Sequence, residues 1–239
     1  MPLALDHRSL GGVVVVTCNG RIVEGGEVAA LQKHVTDLAA ENPHVVLHLG
    51  GVEFVDSSGI GLLVRLLTRM RNTGGSLTIC AASPRIREVL KVTRLHGVLT
   101  PHESEADAIA DVFRYRASVR GSAAGTDILC VDRSPDVLAY VREVLHSAGY
   151  GVTSAGNLPD ALTLLIATRP KAIVISRDLR SSRETRAASA FNERADALPV
   201  IELPPDFSTD DAGHAGAGLL AEVRKLVGNG EADAMATAE

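Results

Sequence analysis

Apolar residues in the first half of the chain follow two alternating patterns. Short aliphatic runs predict strands, and segments with apolar residues three or four apart predict helices between them. The predicted strands are Val13–Thr17, Val45–Leu49, Ser76–Ala81 and a short one near Gly97–Thr100, and the predicted helices are Glu27–Ala40, Ile60–Arg71, Pro84–Thr93 and Ala106–Arg114. This alternation predicts one mixed sheet with helices packed against it.

The second half repeats the alternation with more continuous apolar strands. The predicted strands are Asp127–Val131, Gly151–Ser154, Ala172–Ser176 and Pro199–Leu203, and the predicted helices are Pro135–Ala148, Leu158–Thr168, Glu184–Asp196 and Leu219–Val227. Such strands are typical of a parallel sheet that is covered on both faces. Only Pro204–Gly218 separates the last strand from the last helix. We therefore expect a truncated α/β fold.

A change of composition predicts where the two halves meet. Residues Ala117–Gly125 (ASVRGSAAG) are small and polar, without apolar periodicity, which is typical of a linker. The predicted organisation is a first domain at 1–116, a linker at 117–125 and a second domain at 126–228. The tail 229–239 (NGEADAMATAE) has a composition that predicts disorder.

Composition narrows the class of protein. The 239 residues are 46% hydrophobic and 22% charged, as in globular proteins, and the lack of tryptophan predicts aliphatic cores. A net charge of −5 argues against nucleic-acid binding, and no apolar segment approaches the length of a membrane span. The cysteines Cys18, Cys80 and Cys130 are far apart and predict buried thiols. We expect a cytoplasmic protein without a metal or cofactor.

The segment Val52–Leu67 (VEFVDSSGIGLLVRLL) holds the strongest candidate site. A strand pattern leads into Asp56-Ser57-Ser58-Gly59 and then into an amphipathic helix. A serine at this position either caps the helix or carries a phosphate that the free N–H groups and helix dipole stabilise, and the residues alone leave both open. A serine hydrolase is excluded because the G-x-S-x-G pattern is absent.

The region from Val13 to Phe113 resembles the STAS domain of bacterial anti-sigma factor antagonists. The motifs that carry the resemblance are FVDSSGIG at Phe54–Gly61, NTGGSLTIC at Asn72–Cys80 and PRIREVLKVTRL at Pro84–Leu95. The resemblance implies that Ser57 is phosphorylated by a partner that is both anti-sigma factor and serine kinase. Asp56 would orient the Ser57 hydroxyl, and Ser58 would cap the helix. A serine phosphatase is a further implied partner, and a homodimer stays open.

The implied mechanism is a switch by charge. Unphosphorylated Ser57 lets the chain bind its partner, and a phosphate adds about −1.5 to −2 charges that release it. The implied partner-binding set is Asp56, Ser57, Ser58, Gly59 and Glu24. Glu24 is included because the family commonly has G-E-L-D here, whereas this chain has Gly20-Arg21-Ile22-Val23-Glu24. The aspartate position therefore holds Val23, and Glu24 offers a carboxylate one residue later.

The second domain resembles a response-regulator receiver domain that has lost its chemistry. The resemblance rests on Asp127–Leu162, on RPKAIVIS at Arg169–Ser176 and on LPVIEL at Leu198–Leu203. It implies a flavodoxin-like sheet with a phosphate-accepting pocket. The pocket positions are Asp132, Ser176, Arg177, Asp178 and Pro204, in which Ser176 replaces the acceptor aspartate and Pro204 the hydroxyl residue. We expect a docking or dimerisation module without phosphorylation, since Mg²⁺ needs more than one carboxylate here.

Two functions of different class follow. The first is a regulatory anti-sigma factor antagonist that switches at Ser57 and has no active site of its own. The second is a non-switching STAS scaffold, such as an accessory subunit of a transport or signalling complex, in which the serines only cap the helix.

Overall fold

The computed structural model describes residues 1–120, 127–182, 185–204, 207 and 216–227. The chain divides into two compact units, Met1–Ala123 and Ala124–Glu239, and each is described by itself. In the described part of the chain, no helix is both long and apolar enough to cross a membrane.

The N-terminal unit is built on a five-stranded sheet. Its order is β1-β2-β3-β4-β5, and only the β1–β2 pairing is antiparallel. The strands are β1 (Ala4–Leu10), β2 (Val13–Ile22), β3 (His44–Val55), β4 (Ser76–Cys80) and β5 (Pro101–His102), and the helices are α1 (Gly26–Glu41), α2 (Ser57–Asn72), α3 (Pro84–Val92) and α4 (Glu105–Arg120). The predicted mixed sheet is confirmed.

The core of this unit is aliphatic and lies on both faces of the sheet. Val14 and Val16 of β2 pack with Leu31 of α1 and Leu62 of α2 in one cluster. Val15, which points to the opposite face, is also fully buried. Burial of both faces accounts for the continuous apolar runs in β2 and β3.

Several predicted boundaries in this unit are wrong. Residues 97–100 form turns rather than a strand, with Val98 and Leu99 both donating N–H bonds to the Leu95 carbonyl. Strand β1 was not predicted, because its central residues (DHRS) are all polar and leave no apolar alternation, as is common in an edge strand. Helix α4 continues to Arg120, so the first four residues of the predicted linker are helical. The remainder of that linker, 121–125, lies outside the described residues.

The C-terminal unit has a four-stranded, all-parallel sheet in its described residues, in the order β7-β6-β8-β9. The strands are β6 (Ile128–Val131), β7 (Val152–Ala155), β8 (Ala172–Ser176) and β9 (Val200–Leu203). The helices are α5 (Pro135–Ser147), α6 (Leu158–Thr168), α7 (Arg177–Ser181), α8 (Arg186–Ala195) and α9 at 216–227. The predicted parallel sheet is confirmed, whereas α7 was not predicted. The tail predicted at 229–239 lies outside the described residues.

All three cysteines are free and buried. Desolvation raises the pKa of Cys18, Cys80 and Cys130 to about 12. Each thiol therefore stays protonated at neutral pH and acts as a small apolar side chain.

Candidate functional site

The junction between β3 and α2 forms the candidate site. Strand β3 ends at Val55, Asp56 adopts an extended backbone (φ −87°, ψ −177°), and α2 begins at Ser57. The Asp56 N–H donates to the carbonyl of Ile22 at the end of β2 (3.2 Å), and the Ile60 N–H closes the first helical turn on the Asp56 carbonyl (3.0 Å). Asp56 is thus the N-cap residue of α2.

The Asp56 carboxylate binds two separate parts of the chain. Its Oδ1 accepts the Gly59 N–H at 2.8 Å, which caps α2, and its Oδ2 accepts the Glu24 N–H at 2.8 Å. Bonds from the backbone of Gly59 first, then of Glu24, lower the pKa of Asp56, with a smaller contribution from Ser58. The cap predicted at Ser58 is therefore wrong: α2 begins at Ser57, so the capping position falls two residues earlier, on Asp56.

Ser57 occupies the first position of α2 and is exposed. Within the described residues its hydroxyl has no hydrogen-bond partner, so Asp56 does not orient that hydroxyl by a direct bond. Ser58 is half-buried behind it. The exposed hydroxyl at a helix N-terminus is accessible to another protein, as phosphorylation requires.

Gly59 is required by close packing of α2 against β2. A Cβ at this position would lie 2.6 Å from the Ile22 carbonyl oxygen and 2.8 Å from Cγ1 of Val55. The contact with the Ile22 carbonyl oxygen could be relieved only by movement of the backbone, and the contact with Val55 by movement of its side chain. The glycine therefore lets the first turn of α2 approach the end of β2, which places Ser57 beside the loop after β2.

Glu24 lies in that loop, between β2 and α1, and is exposed. Its backbone bond to Asp56 brings it next to Ser57 although 32 residues separate Glu24 from Asp56 in the chain. Val23, the residue before Glu24, is half-buried. The structure thus brings together all five residues of the predicted partner-binding set.

A cation–π contact that the sequence did not indicate lies near the end of β3. The guanidinium of Arg85, in the first turn of α3, lies 5.0 Å from the centre of the Phe54 ring. Phe54 is half-buried, two residues before Asp56. The signal in the sequence was the arginine after Ser83-Pro84 at a helix start, but only the fold brings it to Phe54.

The cap predicts a pH-dependent contribution to stability. Because folding lowers the pKa of Asp56 below its ordinary 3.8, the ionised carboxylate stabilises the fold above that value, and the contribution disappears as pH falls through the folded-state pKa. Asp56→Ala should lower the free energy of unfolding by about 1 kcal/mol at neutral pH, and Ser58→Ala by only a few tenths.

Urea unfolding at about pH 7 and about pH 3 tests this assignment. The difference between wild type and Asp56→Asn should be present at the higher pH and shrink at the lower one. A larger loss for Ser58→Ala than for Asp56→Ala at neutral pH would restore the cap to Ser58.

The predicted pocket residues of the C-terminal unit lie at the carboxyl ends of three neighbouring strands of its parallel sheet. Asp132 follows β6 and Ser176 ends the neighbouring β8, while Pro204 follows β9. The Asp132 carboxylate accepts the Ser134 N–H at 2.7 Å and so serves a turn before α5. Among the described residues, no three histidine, cysteine or acidic side chains are grouped closely enough to hold a metal ion.

Arg177 and Asp178 begin α7, and both are exposed. The Nε of Arg177 lies 3.6 Å from a carboxylate oxygen of Glu202 on β9. Arg177 thus forms an ion pair with Glu202 of the neighbouring strand β9. Asp178 is the second residue of α7, two positions after Ser176, and so does not stand at the end of the strand.

This arrangement predicts that the C-terminal unit does not accept phosphate. A small phosphodonor and Mg²⁺ should leave the mass of the full chain unchanged when Ser57→Ala removes the serine acceptor, because a single carboxylate binds Mg²⁺ weakly. A stoichiometric, base-labile adduct that Asp132→Asn or Asp178→Asn abolishes would contradict it.

Comparison with known proteins shows which domain family the N-terminal unit resembles. Residues 4–108 match the family model of the STAS domain. This region is similar to STAS domains. The anti-sigma F factor antagonist of Paenibacillus polymyxa is 22% identical over 113 residues, which cover 47% of this chain and 97% of that protein. The general assignment to proteins similar to anti-sigma factor antagonists is therefore supported, whereas the receiver-like assignment of the C-terminal unit stays a prediction.

Two solved structures are also similar to this chain. An anti-sigma factor antagonist from Mycobacterium paratuberculosis has a TM-score of 0.42 and 22% identity, covering 46% of this chain and 93% of that one. The Bacillus cell fate determinant SpoIIAA in its phosphorylated form has a TM-score of 0.38 and 20% identity, covering 46% of this chain and 99% of that one.

Proposed function

We propose that this chain is an anti-sigma factor antagonist whose partner binding is switched by phosphorylation of Ser57. The unphosphorylated STAS domain binds an anti-sigma factor that is also a serine kinase, and so frees the sigma factor. Phosphorylation releases the partner, and a serine phosphatase restores the binding form. The chain acts in the cytoplasm by binding, without an active site of its own.

The observation that carries this proposal is the position of Ser57. Its hydroxyl is exposed at the first residue of α2, and the helix does not need it as a cap, because Asp56 already binds the Gly59 N–H. A serine that only stabilised the helix would have its hydroxyl on that N–H. The similarity to anti-sigma factor antagonists supports the same interpretation.

The transfer itself uses a nucleoside triphosphate bound by the partner. The Ser57 Oγ attacks the γ-phosphorus, the new Oγ–P bond forms as the bond to the nucleoside diphosphate breaks, and the hydroxyl proton passes to a base on the partner. This chain contributes an accessible hydroxyl on a rigid helix start. The product carries about −1.5 to −2 charges on a surface that the partner had covered.

The C-terminal unit is proposed to act as a receiver-like docking module. Support comes from its parallel β7-β6-β8-β9 sheet and from the carboxyl ends of its strands. There the Asp132 carboxylate stabilises a turn and Arg177 pairs with Glu202. The charged groups at this end of the sheet thus bind other residues of the same unit.

Capture of partners from the host tests the proposal. Tagged Ser57→Ala chain should retain a protein that binds nucleoside triphosphates and that itself binds a sigma factor. Retention of the same proteins by Ser57→Ala and Ser57→Asp, none of which binds a sigma factor, would instead favour a non-switching scaffold.

A further inference from the structure

Among the residues that the structure describes, Asp56 is the one side chain with hydrogen bonds to both α2 and the loop of Glu24. One carboxylate oxygen holds Gly59 in α2 and the other holds the Glu24 N–H, each at 2.8 Å. The two bonds join segments that are distant in sequence. The carboxylate therefore fixes the position of the Glu24 loop relative to Ser57.

The hydrogen bonds of the Glu24 loop are divided between α1 and Asp56. Its carbonyl groups face α1, where Val23 accepts the Val28 N–H (3.3 Å) and Gly25 accepts the Ala29 N–H (3.2 Å). The N–H of Glu24 instead points to Asp56. Glu24 and Gly25 are exposed, and Gly25 has a φ of +112°, which glycine adopts without strain. Without the Asp56 bond, the loop would keep its connection to β2 and its two hydrogen bonds with α1.

A charge on Ser57 acts directly on this arrangement. Asp56 already occupies the Gly59 N–H that a phosphate on the neighbouring residue would seek, and the two anions repel each other. The helix N–H group is held in place by α2, whereas the loop can move away at lower cost.

We infer that Asp56 is a positioning residue that couples Ser57 to the Glu24 loop: it holds the loop in the binding form, and phosphorylation of Ser57 weakens that hold. This inference rests on the proposed switch at Ser57. The partner would then lose two parts of its binding surface in one step, the serine through its new charge and Glu24 through displacement.

Hydrogen exchange of the Glu24 amide, followed by NMR on the full chain, tests the inference. Asp56→Asn is the informative variant, because its amide oxygen can still cap Gly59 while its NH₂ group faces the Glu24 N–H, donor against donor. Exchange at Glu24 should become roughly tenfold faster, in keeping with the loss of one charge-assisted bond. The amides of Gly59 and Ala29 should be unchanged and serve as internal controls.

Phosphoserine incorporated at position 57 should also speed exchange at Glu24. In the Asp56→Asn background it should have no further effect, since the two changes act through one bond and are then not additive. Unchanged Glu24 exchange in Asp56→Asn would overturn the positioning role, and unchanged exchange with phosphoserine 57 would overturn the coupling. Neither result needs a partner, so failure here is distinct from failure of the proposed function, which partner affinity decides.

Discussion

Ser57→Asp should lower the affinity of the chain for its anti-sigma factor by roughly 100-fold, because an unpaired or like charge inside an interface costs several kcal/mol. The fold should be retained, since Ser57 is exposed and an acidic residue in the first turn of a helix is favourable. Isothermal titration calorimetry with the partner identified by capture measures the loss.

Two variants control this experiment. Ser57→Ala should bind as tightly as wild type, because the hydroxyl has no bond to lose within the described structure. Thr68→Asp makes the same change of charge on the exposed side of α2, about three turns further along, and should alter affinity by no more than about twofold. Equal affinity for wild type and Ser57→Asp would remove the switch from the account.

Gly59→Ala should destabilise the N-terminal unit by about 2–3 kcal/mol, as expected for overpacking against atoms that cannot move. The added methyl group would meet the Ile22 carbonyl oxygen at 2.6 Å, and that oxygen is held by the Asp56 N–H. Urea unfolding monitored by circular dichroism gives the change in free energy.

Gly61→Ala is the matched control, two residues further along the same helix. Its Cβ would meet only the flexible end of Arg65, at 3.3 Å. Alanine is a better helix former than glycine, so this variant should be neutral or more stable by up to about 1 kcal/mol. If the two substitutions have the same effect, the close approach of α2 to Ile22 is not a feature of the folded protein.

The sequence predicted the helix start at the D-S-S-G motif, but not which residue caps it. Aspartate and serine are equally good N-caps, so the choice depends on where β3 ends, and that is set by its pairing with β2 as far as Val55. The bond from Glu24 to Asp56 was equally hidden, since it links segments that only the parallel order of β2 and β3 brings together.

In the second half, short apolar runs between helical segments predicted all four described strands, and β6 and β8 are buried along nearly their whole length, as such runs indicate. The sequence did not predict the contacts of the polar residues that follow these strands. Arg177 stands among the predicted pocket residues, yet it pairs with Glu202, whose distance in sequence gave no hint of proximity. Short α7 was missed because five residues hold too little periodicity to indicate a helix.

The central claim is that Ser57 is a phosphorylation switch, and mapping phosphate on protein isolated from its host tests it most directly. Intact-mass measurement followed by peptide fragmentation should find a fraction of the wild-type chain with one phosphate on Ser57, and none in Ser57→Ala. The anti-sigma factor should co-purify only with the unphosphorylated fraction. A chain that binds its partner yet never carries phosphate on Ser57, under conditions where the sigma factor is active and where it is held, would contradict the account.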